Sequence, residues 1–270
     1  MSPDISNPPD PSEDFMLPEG LIMVGIRSYT YLIQNFVRKK HLIVPDEDGL
    51  TQDNIRSCRT EADIYYILGE HPRVAKCLSI GPDKDYVDLE YYPNGNLKQY
   101  VDNNRAQITE ADLKRWAHQM IESMAYIHSK GVIHSDIRLD QWLLDESFNA
   151  RICDFNASGF DAQPDLGLEK RPANGLENAS HFLPREPELD NTVQTDLFAL
   201  GSSLYELVTG RRPYEELDDE SIELLFQKET FPDTETLLFG DIISGCWKQK
   251  FHSAEEILDS PEWEVTRGAV

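Results

Sequence analysis

Hydrophobic and polar positions divide this chain of 270 residues into two unlike halves. Near the start, short apolar or β-branched runs follow one another: Leu21-Ile22-Met23-Val24, then Tyr29-Thr30-Tyr31-Leu32-Ile33, then Phe36-Val37. Gly25 and Gln34-Asn35 break them, and runs of this length between turn residues predict strands. Next, Ile55, Ala62, Tyr65, Tyr66 and Leu68 alternate with charges, which predicts a helix over 53–68 that Gly69 ends. Two further strands are predicted over 74–80 and 86–92, with turn chemistry in Gly81-Pro82-Asp83-Lys84-Asp85 between them. Pro93-Asn94-Gly95-Asn96 then interrupts the pattern and reads as a linker.

Beyond the linker the period changes. Thr109 opens the strongest helix, with Asp112 three residues on as a partial capping box. Leu113, Trp116, Ala117, Met120, Ile121, Met124 and His128 share one face at three-and-four spacing, and Gly131 stops the run. A second buried helix is predicted over 193–209, through Leu197, Leu200, Leu204, Leu207 and Val208, and a third over 253–258. The expected architecture is α+β and bilobal. A disordered acidic tail (1–18) precedes a small β-rich lobe with one helix (19–92) and a larger, mainly helical lobe (93–270).

Composition narrows the function. A hydrophobic content of 40% fits a soluble globular protein. A net charge of −24 argues against nucleic acid and against an anionic membrane surface as partners. The first fifteen residues, rich in Pro, Ser and Asp, lack both a basic start and an apolar core, so they do not read as a signal peptide. The apolar run over 21–26 is far too short to span a bilayer. Cys58, Cys77, Cys153 and Cys246 sit far apart. Cys77 and Cys153 lie in apolar runs and read as buried thiols of a reducing compartment, so cytoplasm or nucleus is expected.

The chemistry concentrates in one stretch. Val132-Ile133-His134-Ser135-Asp136 delivers a carboxylate at the end of an apolar run. Gln141 follows five residues later, then a second apolar run, and Ile152-Cys153-Asp154-Phe155-Asn156 brings another carboxylate eighteen residues after the first. Carboxylates at the ends of two short strands suit a division of labour: one accepts a proton from an attacking hydroxyl, the other holds the metal on a nucleotide.

These residues resemble the His-Arg-Asp…Asn and Asp-Phe-Gly loops of the eukaryotic protein kinases. The resemblance covers roughly residues 20–262. It implies Asp136 as catalytic base, Arg138 as a cation for the transferring phosphate, and Asp154 with Gln141 as metal ligands for Mg²⁺ on ATP. His134 reads as a packed structural histidine. Phe36-Val37-Arg38-Lys39 is similar to the strand whose lysine holds the α and β phosphates. Register leaves Lys39 or Lys40 open, with Glu61 as the ion-pair partner on the following helix and Asp63 as a poorer one. Gly25 and Ser28 fall where the family's glycine-rich loop covers the phosphates, although only the middle glycine is kept. Leu89-Glu90-Tyr91-Tyr92-Pro93 resembles the hinge that meets adenine, so Glu90 and Tyr92 join the expected ATP site, with Leu89 at the back. Leu183-Pro184-Arg185-Glu186 and Thr195-Asp196 through Gly201 resemble the structural motifs of the second lobe, with Lys250 expected to pair with Glu186.

Departures set the alternatives. Ser135 replaces an arginine that commonly receives an activation-segment phosphate, which suggests no need for that phosphate. Arg138 stands for a lysine and Gln141 for the metal-binding asparagine, on a longer stem. Asn156 stands for the glycine, as a residue tolerant of left-handed backbone. The resemblance thus implies an ATP-dependent protein serine/threonine kinase with Mg²⁺, a protein substrate and reduced activity. A pseudokinase scaffold and a small-molecule kinase of the aminoglycoside phosphotransferase kind stay open beside it.

Overall fold

Turn chemistry decides how the first half folds. In the computed structural model, which describes residues 20–173, 175, 177–186 and 189–268, five antiparallel strands form one sheet. They are β1 (Leu21–Val24), β2 (Ser28–Ile33), β3 (Phe36–His41), β4 (Cys77–Ile80) and β5 (Tyr86–Glu90), in the order β1-β2-β3-β5-β4. A left-handed Gln34 (φ 55°) closes the β2–β3 hairpin, in which Ile33 faces Phe36. The expected tail lies outside the described residues.

Strand alternation settles which lysine turns inward. Successive side chains of β3 point to opposite faces. Arg38 and Lys40 therefore share one face; Arg38 meets Asp88 through two bonds of 2.7 and 2.9 Å, and Lys40 is exposed. Lys39, opposite Val87, is buried on the other face, toward the single helix of this half. That helix, α1 (Asp48–Leu68), begins five residues before its predicted start, because the one apolar residue of its first turn, Leu50, is exposed and sets no periodic pattern. Gly69 ends it at φ 62°.

The predicted strand over 74–80 is shorter, beginning at Cys77. Its first part pairs instead with the second half: the Ile152 N–H donates to the Arg73 carbonyl and the Ala75 N–H to the Ile152 carbonyl, both at 2.8 Å. Cys77 is half-buried rather than buried, since it sits near this sheet edge, whereas Cys58, Cys153 and Cys246 are buried.

The second half contains α2 (Leu97–Asn104), α3 (Glu110–Ser129), α4 (Val193–Thr209), α5 (Asp219–Gln227), α6 (Gly240–Trp247), α7 (Ala254–Leu258) and α8 (Pro261–Gly268). Two short ribbons accompany them: β6 (Val132–Ile133) with β9 (Gly159–Phe160), and β7 (Trp142–Leu144) with β8 (Ala150–Ile152). Thr109 and Asp112 form a full capping box on α3, and α4 has its predicted bounds. Trp116, Trp142 and Trp247 are fully buried, and each indole N–H finds a partner: the Phe148 carbonyl, Ser123 Oγ and Ser202 Oγ. Each such side chain contributes roughly 1.5–3 kcal/mol of burial, against about 0–1 for an exposed ion pair. The apolar core, not the acidic surface, therefore holds this lobe together. No helix among the described residues is long and apolar enough to cross a membrane.

Lys250 bonds Glu262 and not the exposed Glu186, which the sequence paired with it. The segment around Glu186 is held differently, through Arg185 and Glu177 (3.2 Å). Gly201 lies where α4 meets α6, and a Cβ there would stand 2.7 Å from Cys246 Cβ and 3.2 Å from the Ile243 carbonyl. Gly201→Ala is expected to cost about 1–3 kcal/mol by overpacking. A urea titration checks this: the midpoint falls at unchanged slope, while an unchanged midpoint would mean that the two helices separate freely.

Candidate active site

Three elements converge on the buried Lys39. Its Nζ lies 2.9 Å from Glu61 Oε2 and 3.0 Å from Oε1 on α1, and it bonds Asp154 just beyond β8. Asp63 takes Lys84 and Arg171 instead (3.5 Å to the latter), in keeping with its different helical face. Burial opposes the Lys39 charge, but Asp154 and Glu61 more than offset it, so its pKa is raised. Burial would likewise push Asp154 up, and Lys39 holds it down and ionised. Glu61 is held above its ordinary value by burial, and it also accepts the Phe155 N–H at 3.3 Å. Asp154 keeps 29% of its side chain exposed while Glu61 keeps 1%, so Asp154 is the carboxylate open to the cleft.

Left-handed backbone aims this loop and the neighbouring one. Asp154 has φ 65° and Ser135 φ 60°. The residue expected to turn, Asn156, does not take the left-handed conformation; Asp154 itself does. Such geometry costs about 1–2 kcal/mol per residue and persists only where neighbours over-determine it. For Ser135 they do. Asp196, in the first turn of α4, accepts the His134 N–H and the Ser135 N–H at 2.8 Å each, and His128 Nε2 lies 2.9 Å away. Ser135 Oγ donates to the Ala157 carbonyl and Ser158 Oγ to the His134 carbonyl. His134 is fully buried, its pKa lowered by burial, with Nε2 against the Cys153 carbonyl at 3.0 Å.

Asp136 stands at the end of this clamped loop. Gln141 Nε2 donates to its Oδ2 at 2.8 Å, Arg138 Nη2 approaches Oδ2 at 3.2 Å, and Arg138 Nε lies 3.0 Å from Oδ1. Burial raises Asp136 to about 7, against the pull of the Arg138 charge and with help from Asp154. Lys39, Glu61 and Asp154 thus form one cluster, and Asp136, Arg138 and Gln141 a second within its electrostatic reach. Asp140, which sequence reasoning missed, joins the second cluster 3.7 Å from Arg138.

The expected nucleotide-covering and hinge residues are placed less uniformly. Gly25 donates its N–H to the Ser28 carbonyl (2.8 Å), and Ser28 is buried. Glu90 is exposed at the end of β5. The buried Tyr92 accepts the Lys76 N–H on its hydroxyl and packs with Ala75 and Cys153. Arg171, also missed, donates to Thr60 on α1 at 2.7 Å, so a cation on the second-lobe segment between Asp154 and Glu186 meets the helix that carries Glu61.

A model of the protein kinase domain family matches residues 34–260. The chain belongs to the protein kinase family. It is 31% identical over 202 residues to a probable serine/threonine-protein kinase of Dictyostelium discoideum, covering 70% of this chain and 21% of that protein. Similarity also extends to the maternal embryonic leucine zipper kinase of Xenopus tropicalis, at 27% over 189 residues (68% and 28%). CBL-interacting protein kinase 25 of Oryza sativa subsp. japonica is 32% identical over 168 residues (58% and 31%). The chain thus spans less than a third of the length of these relatives.

A protein kinase domain implies ATP and a divalent metal. Among the described residues no group of three or more His, Cys, Asp and Glu side chains is placed to hold a metal alone. Asp154, the cluster's carboxylate open to the cleft, is the one that could meet a metal taking its other oxygens from phosphates.

Asp136 also sets a stability trade. Raised from 3.8 to about 7, its carboxyl must ionise against burial, so folding loses stability as pH rises from about 4 to 7. The bound on this loss is about 4 kcal/mol. Asp136→Asn is expected to raise the melting temperature at pH 8 and to leave it nearly unchanged at pH 4. Equal melting temperatures at pH 8 would contradict a buried, strained carboxylate.

Proposed function

We propose that this kinase domain transfers the γ-phosphate of ATP to a serine or threonine hydroxyl of a protein, with Mg²⁺ and at a reduced rate. The observation that carries the reading is the closed Lys39–Glu61–Asp154 arrangement beside Asp136. Lys39, fixed by Glu61, positions the α and β phosphates. Asp136, poised near neutral pH, accepts the proton of the attacking hydroxyl, the range in which a general base is most effective. Arg138, beside Asp136, offers its guanidinium to the transferring group. Mg²⁺, when bound through Asp154 and the Gln141 amide oxygen, supplies charge neutralisation on the phosphates. The preference for serine and threonine draws on the relatives' names and on the cation at position 138.

Reduced rate follows from Gln141. Its stem is one methylene longer than the family's asparagine, and its Nε2 is committed to Asp136. The amide oxygen, the atom of the group that binds a metal, must reach it from that longer stem with the amide already oriented by Asp136, and Mg²⁺ demands near-octahedral ligands. The same observation favours the second reading, a nucleotide-binding scaffold without transfer.

Labelled ATP with Mg²⁺, offered to a protein mixture, tests the proposal. Expected is slow incorporation by the wild type that falls about 10²–10⁴-fold in Asp136→Asn. No incorporation, or equal incorporation by both proteins, supports the scaffold. Transfer confined to small hydroxyl compounds supports the small-molecule alternative.

A further inference from the structure

Charge in the cleft is unevenly distributed. Lys39 is shared by Glu61 and Asp154, and Arg138 by Asp136 and Asp140. Two cations thus face four carboxylates, in a chain of net charge −24. A nucleoside triphosphate brought into this site meets repulsion unless further positive charge is present.

The turn between β1 and β2 contains such a charge. Arg27 is half-buried, and its Nη1 donates to Ser57 Oγ at 2.8 Å. Ser57 is buried on α1, one helical turn before Glu61. Asp136 and Asp154 both act on the Arg27 charge from across the cleft, and burial outweighs them, so its pKa is lowered. Yet among the described residues Arg27 has no carboxylate within ion-pair distance; its one side-chain bond is to a neutral hydroxyl. A guanidinium offers five donors in a planar fork that matches phosphate. Arg27 therefore keeps donors to spare.

Meanwhile the turn's backbone gives up one donor. The Gly25 N–H is spent on the Ser28 carbonyl, and Ser28 is buried.

We propose that Arg27 is a phosphate-binding side chain: its guanidinium contacts the terminal phosphates of the bound nucleoside triphosphate. The ligand chemistry is a polyphosphate, so the residue discriminates by phosphate number and ignores the base. This rests on the nucleotide-binding reading above. The rival role, a tie between the turn and α1 through Ser57, makes a different demand: removing either partner should then have the same effect.

Calorimetric titration with ATP and with adenosine, each with Mg²⁺, separates them. The proteins are wild type, Arg27→Gln, Arg27→Lys and Ser57→Ala, each with its melting curve checked. Expected is an ATP affinity about tenfold or more weaker in Arg27→Gln, the loss of one charge-assisted contact. Adenosine affinity stays unchanged, Arg27→Lys recovers part of the loss, and Ser57→Ala binds ATP nearly as the wild type does. An unchanged ratio of ATP to adenosine affinity in Arg27→Gln overturns this proposal alone. So does a Ser57→Ala loss equal to that of Arg27→Gln. A wild type that binds neither compound overturns the nucleotide reading, and this proposal with it.

Discussion

One buried ammonium ties the fold to the site. Lys39 comes from the central strand, Glu61 from the helix, and Asp154 from the loop of the other lobe. Taking these charges from water costs several kcal/mol per ion, and only close pairing offsets it. Removing Lys39 would leave two carboxylates without their cation, at a cost of about 3–5 kcal/mol. The arrangement is therefore all-or-none: sheet register, helix position and loop conformation must all be correct for Lys39 to be buried at all. Strand alternation makes that possible, because a slip of one residue would put Lys40 inside and turn Lys39 to solvent.

A second constraint serves the first. Asp196 grips two consecutive amides of the loop before Asp136, and in doing so it fixes a left-handed Ser135. Ser135, with its hydroxyl bonded to the Ala157 carbonyl, has no charge to receive a phosphate. Arg171 meets Thr60 and Asp63 on α1 instead, so the charged partners across this contact are an arginine on the segment and an aspartate on the helix. That contact is built from the chain's own residues.

Legibility followed the physics of each element. The helices α3 and α4 show in the sequence because each carries a full apolar face and a recognisable end. By contrast, α5 and α6 escape notice. Gly240 and Gly245 look like breakers in α6, yet a Cβ at Gly245 would lie 2.5 Å from the Phe251 ring, so close packing requires the glycine there. In the site, Glu61, Asp136 and Asp154 are legible because the order of motifs singles them out, and Lys39 is legible to within one residue of strand register. Arg27, Asp140 and Arg171 are not: each depends on where a turn or a long side chain ends up. The expected pairing of Lys250 with Glu186 failed for the same reason, since Lys250 bonds a nearer carboxylate, Glu262.

All of this makes the cleft a place for a polyphosphate with its metal, and that is open to one direct measurement. Melting curves of the chain are recorded with ATP alone, with Mg²⁺ alone and with both. A ligand present at a hundred times its dissociation constant stabilises the folded state by about 2.7 kcal/mol, enough to move the transition clearly. Expected is a rise with ATP that grows when Mg²⁺ is added, and none with Mg²⁺ alone. No rise under any of the three conditions would contradict a cleft organised by Lys39, Glu61 and Asp154 for a metal-bound nucleotide.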